Sequence, residues 1–261
     1  MTIAATIIAT QMPPAPLVRH RRQAAHPALV AAALLVAAVA LIPAGFVIWV
    51  LIQSGWDTAS AMIFRPRVGE IFLATVLLQA LAVPLSVLLA VVLAWLTERS
   101  DLPFRGLWRW LAVAPLAIPA FVMAYAWDST LPMLRGLWPA VGISVLAYFP
   151  LVYLPVIAQL RRLDPAAEDV AATLGHSPAR VFVTVVLPQL RLAILGGGLL
   201  IAMHLLAEYG LFVLIRHDTL TVAIVNQFQA VYDGPAANLM GIVLVACAAG
   251  LLALEAWLRG D

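Results

Sequence analysis

Six long apolar runs dominate the chain, near residues 28–52, 70–96, 108–127, 137–160, 192–215 and 237–258, and short polar stretches separate them. A bilayer core about 30 Å thick takes roughly 20 apolar residues per helix, so each run predicts one membrane span. The expected fold is all-α, a polytopic membrane protein of about six transmembrane helices. The longest polar interruption, residues 164–188, has its own helical punctuation. Asp164 suits an N-cap and Pro165 a first helical position, so a short helix should run through Ala166–Leu174 and stop at Gly175. Ser177 and Pro178 restart a helix that Val181–Leu187 continue and Pro188 ends before the fifth span. The result is a helix, a glycine elbow and a second helix, able to move as a rigid lever.

Prolines at 84, 115, 119, 150 and 155 lie inside spans two, three and four. They predict kinks or breaks, of use either to moving transport helices or to static packing. Gly196, Gly197 and Gly198 let a neighbouring helix approach the fifth span closely. Trp108, Trp110 and Trp127 fall near span ends, where indole rings anchor at the interface. Residues 216–236 turn from polar to apolar and are expected to dip back toward the membrane or lie on its outer face.

With 64% hydrophobic and 11% charged residues and a mean hydropathy of +1.01, the chain has too little polar surface to cover itself in water. Lipid is therefore an obligatory partner. The net charge of +2 comes from arginines without any lysine, placed at the ends of runs. No basic stripe follows a nucleic-acid backbone, so nucleic acid is not an expected partner. Cys247 has no intrachain partner for a disulfide.

Arginine placement predicts orientation, because short loops rich in positive charge stay in the cytoplasm. Arg19, Arg21 and Arg22, then Arg99, Arg105 and Arg109, then Arg161, Arg162, Arg180 and Arg191, and finally Arg259 fall on one side. The other side holds only Arg65, Arg67, Arg135 and Arg216. Both termini and the 164–188 loop are expected in the cytoplasm. The first run follows basic residues as a signal peptide does, but its length favours an uncleaved anchor.

The 164–188 loop resembles the cytoplasmic EAA loop of ABC-importer permeases, whose pattern is Glu-Ala-Ala, three residues, Gly, nine residues, Ile, one residue, Leu-Pro. The register falls on Asp169, Val170 and Ala171, then Gly175, then Val185, Leu187 and Pro188, with Asp for Glu, Val for the first Ala and Val for Ile. The resemblance implies that the first short helix docks on a separate ATP-hydrolysing subunit through Asp169, Ala171 and Gly175, with Val185, Leu187 and Pro188 completing the motif. Read from its residues alone, the segment is also compatible with a connecting loop whose prolines and glycine are only caps.

"LAWLTERSDLPFRGLWRWLAVAPLAIPAFVMAYAW", starting at Leu93, and "LAEYGLFVLIRHDTLTVAIVNQF", starting at Leu206, are similar to permeases of ferric-iron importers, with thiamine permeases close by. The resemblance implies a cytoplasmic tail over 1–27, a first helix and outer loop over 28–67, and an importer transmembrane domain over 68–258 that contains the 164–188 loop. It also implies ABC ATPase subunits and a substrate-binding protein as partners. Iron-type permeases are commonly two fused halves with one such loop each, and this sequence shows one loop and no internal repeat. A second half is therefore expected, as a copy of this chain, a sister subunit or a fused C-terminal half.

Glu208 is the one carboxylate well inside a run, roughly 24 Å along a span of roughly 36 Å at about 1.5 Å per residue. A charge there is costly without a partner or water. His204, four residues earlier, shares its helical face, so a His–carboxylate hydrogen bond is feasible. Family members carry an acidic residue, an aromatic one and glycine here, matched by Glu208, Tyr209 and Gly210. The group either lines the translocation path or its outer gate, or locks helices together. Two ligands make no metal site, and no cofactor is implied. No Walker loop, HExxH pair or Gly-x-Ser-x-Gly elbow is present, so the chain is expected not to be an enzyme. Ferric iron is the expected cargo. Thiamine, a polyamine, a phosphonate or an inorganic anion stand as alternatives, and an ATPase-independent transporter or membrane scaffold as a rival class.

Overall fold

The computed structural model describes residues 27–164, 166–231 and 233–260. The arginine tail at 19–22 and Pro165 lie outside them. The chain divides into two units, one ending at Gly45 and one beginning at Phe46. The first contains the start of α1 (Pro27–Ser54), which is apolar on every side and buries no residue, as a span facing lipid does.

The second unit comprises α2 (Trp56–Ile63), α3 (Pro66–Arg99), α4 (Arg105–Val113), α5 (Ala120–Thr130), α6 (Leu137–Tyr148), α7 (Pro150–Leu160), α8 (Ala166–Thr173), α9 (Pro178–Gln189), α10 (Arg191–Ala207), α11 (Gly210–Leu214), α12 (Leu220–Asn226) and α13 (Gly234–Arg259). Among the described residues there is no strand. The helices α1, α3, the continuous α6–α7 and α13 are long and apolar enough to cross a bilayer, and two bent pairs raise the number to six. The protein is an all-α, polytopic membrane protein.

Two spans are broken, the third as its prolines predict and the fifth without such a signal inside it. Residues 108–127 are broken by a 95° bend between Arg105–Ala117 and α5. Pro115 sits in a tight 3-10 turn over Ala114–Ala117, Ile118 is extended, and Pro119 enters α5 from an extended conformation. A residue before proline is pushed out of the α region, so Ile118 ahead of Pro119 forces the break. Pro84 and Pro155, by contrast, lie inside helices that continue through them. The fifth run, expected to be helical over 192–215, stops at Ala207 because Glu208 is extended (φ −73°, ψ 127°). At its other end a 69° bend falls at Leu190, two residues beyond Pro188.

The core is built where α3, α6, α7 and α10 pack together, with α13 against α10 and α11 against α5. Tyr153, Leu160, Ile201, Leu205 and Phe212 are fully enclosed there. Two polar contacts join helices inside the core, while the buried Ser86 and Ser144 hydroxyls have no partner among the described residues. The Gln79 amide donates to the Ala202 carbonyl at 2.9 Å, and the Thr97 and Tyr153 hydroxyls meet at 3.1 Å. The 216–236 segment begins with Arg216 in the left-handed region (φ 55°) and then forms α12, capped by Thr219 through the Val222 amide at 3.4 Å. Leu220 and Val222 bury α12 against α3 and α13.

Candidate functional site

Two constellations carry the chemistry anticipated from the sequence, one in the 164–188 segment and one around Glu208. In the first, the Ala166 amide donates to Asp164 Oδ1 at 2.9 Å, which caps α8. The helix ends in a Schellman arrangement. The His176 amide donates to the Ala171 carbonyl at 3.3 Å and the Gly175 amide to the Ala172 carbonyl at 3.0 Å, with Gly175 left-handed at φ 84°. Leu174, expected as the last helical residue, lies in this turn. Ser177 precedes α9 in an extended conformation but makes no side-chain cap.

Within α9 the backbone widens to a π-helix over Phe182–Val186, and the Leu187 amide donates to the Phe182 carbonyl. Pro188 lacks an N–H and its ring crowds the carbonyl four residues back, so the wider turn relieves the clash and the helix survives to Gln189. Asp169, Gly175 and Pro188 are exposed, Val185 and Leu187 half-buried, and Ala171 buried. Nothing lies within 4 Å of a Cβ built on Gly175, which leaves the elbow open to a docking partner.

The carboxylate turned inward is Glu168, which the sequence did not single out. Arg99 Nε donates to Glu168 Oε1 at 3.1 Å, and Arg99 Nη2 to the Leu160 carbonyl at 2.9 Å. Next to it, Glu98 accepts from Arg161 Nη2 at 2.9 Å and from Arg109 Nη2 at 3.1 Å. The hydrogen bond to Glu98 raises the Arg161 guanidinium above its ordinary pKa and keeps it charged. A cavity of about 230 Å³ lies beside this network, lined by Trp95, Arg99, Glu168, Asp169, His176 and Phe182.

In the second constellation the expected His204–Glu208 hydrogen bond is not formed. Because α10 stops at Ala207, Glu208 leaves the helical face it was to share. Its Oε2 accepts from the Tyr148 hydroxyl at 2.5 Å and its Oε1 from the Leu211 amide at 3.0 Å, tying α6 to the start of α11. His204 Nδ1 lies 2.9 Å from the Leu200 carbonyl, and its ring stands 5.7 Å from that of Tyr148. A carbonyl only accepts, so Nδ1 donates to it. Gly210 is pressed against α5: a Cβ there would fall 2.8 Å from Phe121 Cβ. Tyr209 is half-buried at the break.

His204 and Tyr148 line a cavity of about 260 Å³ whose other walls include Pro115, Pro119, Ala147 and Leu151. The broken α4–α5 pair thus opens onto His204. Irregular backbone at membrane depth is tolerated where protein or a water-filled cavity covers it. Among the described residues no group of three His, Cys, Asp or Glu side chains is gathered to hold a metal ion.

Residues 82–258 match the family described as binding-protein-dependent transport system inner membrane component. The chain is 34% identical over 219 residues to the Fe(3+)-transport system permease protein FbpB 2 of Haemophilus influenzae, covering 84% of this chain and 43% of that protein. It is 28% identical over 240 residues to the sulfate transport system permease protein CysT of Escherichia coli, covering 84% of this chain and 86% of that one. The chain therefore spans less than half of the first relative and most of the second. Its fold is similar to a chain of a bacterial alginate ABC transporter, solved with an alginate pentasaccharide-bound periplasmic protein, at a TM-score of 0.64 and 15% identity over 87% of this chain and 92% of that one. It is also similar to a chain of the inward-facing MetNI methionine ABC transporter, at a TM-score of 0.62 and 13% identity over 75% of this chain and 98% of that one.

Proposed function

The chain belongs to the family of binding-protein-dependent transport system inner membrane components, and on that premise we propose that it is the membrane-spanning permease subunit of an ATP-driven importer of ferric iron. Its partners are ABC ATPases on the cytoplasmic side, a substrate-binding protein on the outer side and a second permease half. Both termini and the 164–188 loop face the cytoplasm in this reading, following the arginine asymmetry. Asp169, Ala171 and Gly175 meet the ATPase, and Val185, Leu187 and Pro188 carry the movement into α10. His204, Glu208, Tyr209 and Gly210 line the path or its outer gate.

The observation that carries the cargo assignment is the lining of the cavity beside α10. It offers the His204 imidazole and the Tyr148 oxygen, whose proton is given to Glu208, and no arginine lines it. Without a guanidinium or ammonium group, such a lining favours a cation over an anion. The ferric-iron permease relative agrees with that chemistry. A second reading, sulfate, is favoured by the 28% identity to the sulfate permease relative CysT. Uptake of radiolabelled ferric iron and of radiolabelled sulfate, in cells with and without this chain, separates the two. Loss of iron uptake alone on deletion supports the proposal; loss of sulfate uptake alone overturns it.

The elbow supplies its own prediction. Valine at Gly175 meets no neighbour but must adopt a left-handed backbone, at about 1–2 kcal/mol. Asparagine tolerates that conformation. Uptake should fall severely in Gly175→Val and by much less in Gly175→Asn at equal expression. Full uptake with valine would disprove the coupling role of the loop.

A further inference from the structure

The last turn of α3 grips α4, the end of α7, α8 and α9. Trp95 packs edge-on to Phe182 of α9, with ring centroids 5.7 Å apart. One turn later Arg99 holds Glu168 of α8 and the last carbonyl of α7. Between them Glu98 holds Arg109 of α4 and Arg161 beyond α7. The Arg99 and Glu168 side chains are only 21% and 22% exposed, so water screens their attraction less than it screens a surface pair. The two adjacent carboxylates of α8 are thereby divided: Glu168 is taken by α3, while Asp169 is exposed.

We propose that Arg99 is a positioning residue that latches α8 to α3 through Glu168, so that force applied to the exposed face of α8 moves α3 together with it. This rests on the importer reading, in which an ATPase docks on α8. Without the latch, α8 is joined to the membrane helices along the chain alone, by the short link from α7 and by the Gly175 elbow and the widened α9. Gly175 has no neighbour to stiffen it, and a π-segment is a weak point in a helix. With the latch, α3 is engaged directly. Through Gln79, which bonds the Ala202 carbonyl, α3 is joined to the helix that carries His204.

The test uses the complete transporter co-purified with its ATPase and reconstituted in lipid vesicles, with two readouts: ATP hydrolysis stimulated by the loaded binding protein, and radiolabelled ferric-iron uptake. Arg99→Gln and Glu168→Gln are each expected to leave the ATPase bound but to lower stimulated hydrolysis and uptake about tenfold. Arg99→Lys should retain part of both. The exchange Arg99→Glu with Glu168→Arg should recover most of what either reversal alone loses, a rescue that loss of folding would not allow. Hydrolysis in Arg99→Gln within about twofold of the unmodified complex, or an exchange no better than its single reversals, overturns the latch. An unmodified complex that hydrolyses ATP on stimulation but moves no iron overturns the cargo assignment and leaves the hydrolysis test of the latch intact.

Discussion

Replacing Gly197 with valine is expected to remove nearly all folded protein from the membrane, while the same replacement at Gly196 leaves it in place. A Cβ on Gly197 would lie 2.8 Å from Val152 Cα, 2.9 Å from Val152 Cγ2 and 3.0 Å from the Leu151 carbonyl oxygen. Two of these three atoms are backbone and cannot turn aside. The helices α10 and α7 must therefore separate, at about 3 kcal/mol for the overpacking, and the enclosed core around Val152 and Ile201 loosens as they do. Small residues are what allow helices to approach in lipid, where no hydrophobic force between them compensates for distance. Gly196 has nothing within 4 Å, and a Cβ on Gly198 meets Val83 and Val87 at an ordinary 3.8 Å. His204 lies seven residues beyond Gly197, on the same face two turns along, so the same approach sets the imidazole beside Tyr148. Fluorescence-detected size exclusion of the tagged chain measures the effect. A monodisperse peak of normal height for Gly197→Val would show that α7 and α10 do not approach this closely.

The six apolar runs carried most of the fold in plain view, because lipid demands long apolar helices and leaves few alternatives. What stayed hidden is how those helices bend and what they grip. Pro115 and Pro119 announce a weak point but not a 95° turn, and Pro84 and Pro155 read the same way yet sit in unbroken helices. The stop at Ala207 had no local signal, since Leu205 to Leu214 is a strong apolar helical run apart from Glu208. It is made by tertiary contacts, Glu208 with Tyr148 and Gly210 with Phe121. The tripeptide Gly196–Gly198 is uniform in sequence and differs only in what stands opposite. In the 164–188 loop the caps and the elbow were local and therefore readable. Glu168 was not, because its partner Arg99 lies 69 residues away and either of two adjacent carboxylates fits a helix surface.

Glu208 decides between a gate and a clasp, and its isosteric and truncating replacements are expected to part company. Alanine there orphans the Leu211 amide and the Tyr148 hydroxyl, each at about 1–3 kcal/mol when buried. The chain should melt well below the unmodified protein and support no uptake. Glutamine keeps an oxygen for the Leu211 amide and meets the Tyr148 hydroxyl through its amide, since a phenol accepts as readily as it donates. Its thermal stability in detergent should therefore stay close to that of the unmodified protein. Its uptake should nonetheless fall by about tenfold, because a cation passing beside Tyr148 loses the carboxylate that Tyr148 holds, an interaction of about 1.4 kcal/mol in transit. Tyr148→Phe separates the two contributions further: it removes the hydrogen bond and the hydroxyl of the cavity but leaves the carboxylate, so it should cost stability and lower uptake by less than Glu208→Gln does. Normal uptake in Glu208→Gln alongside a severe stability loss in Glu208→Ala would make this residue a clasp between α6 and α11, and would move the cargo path to another face of α10.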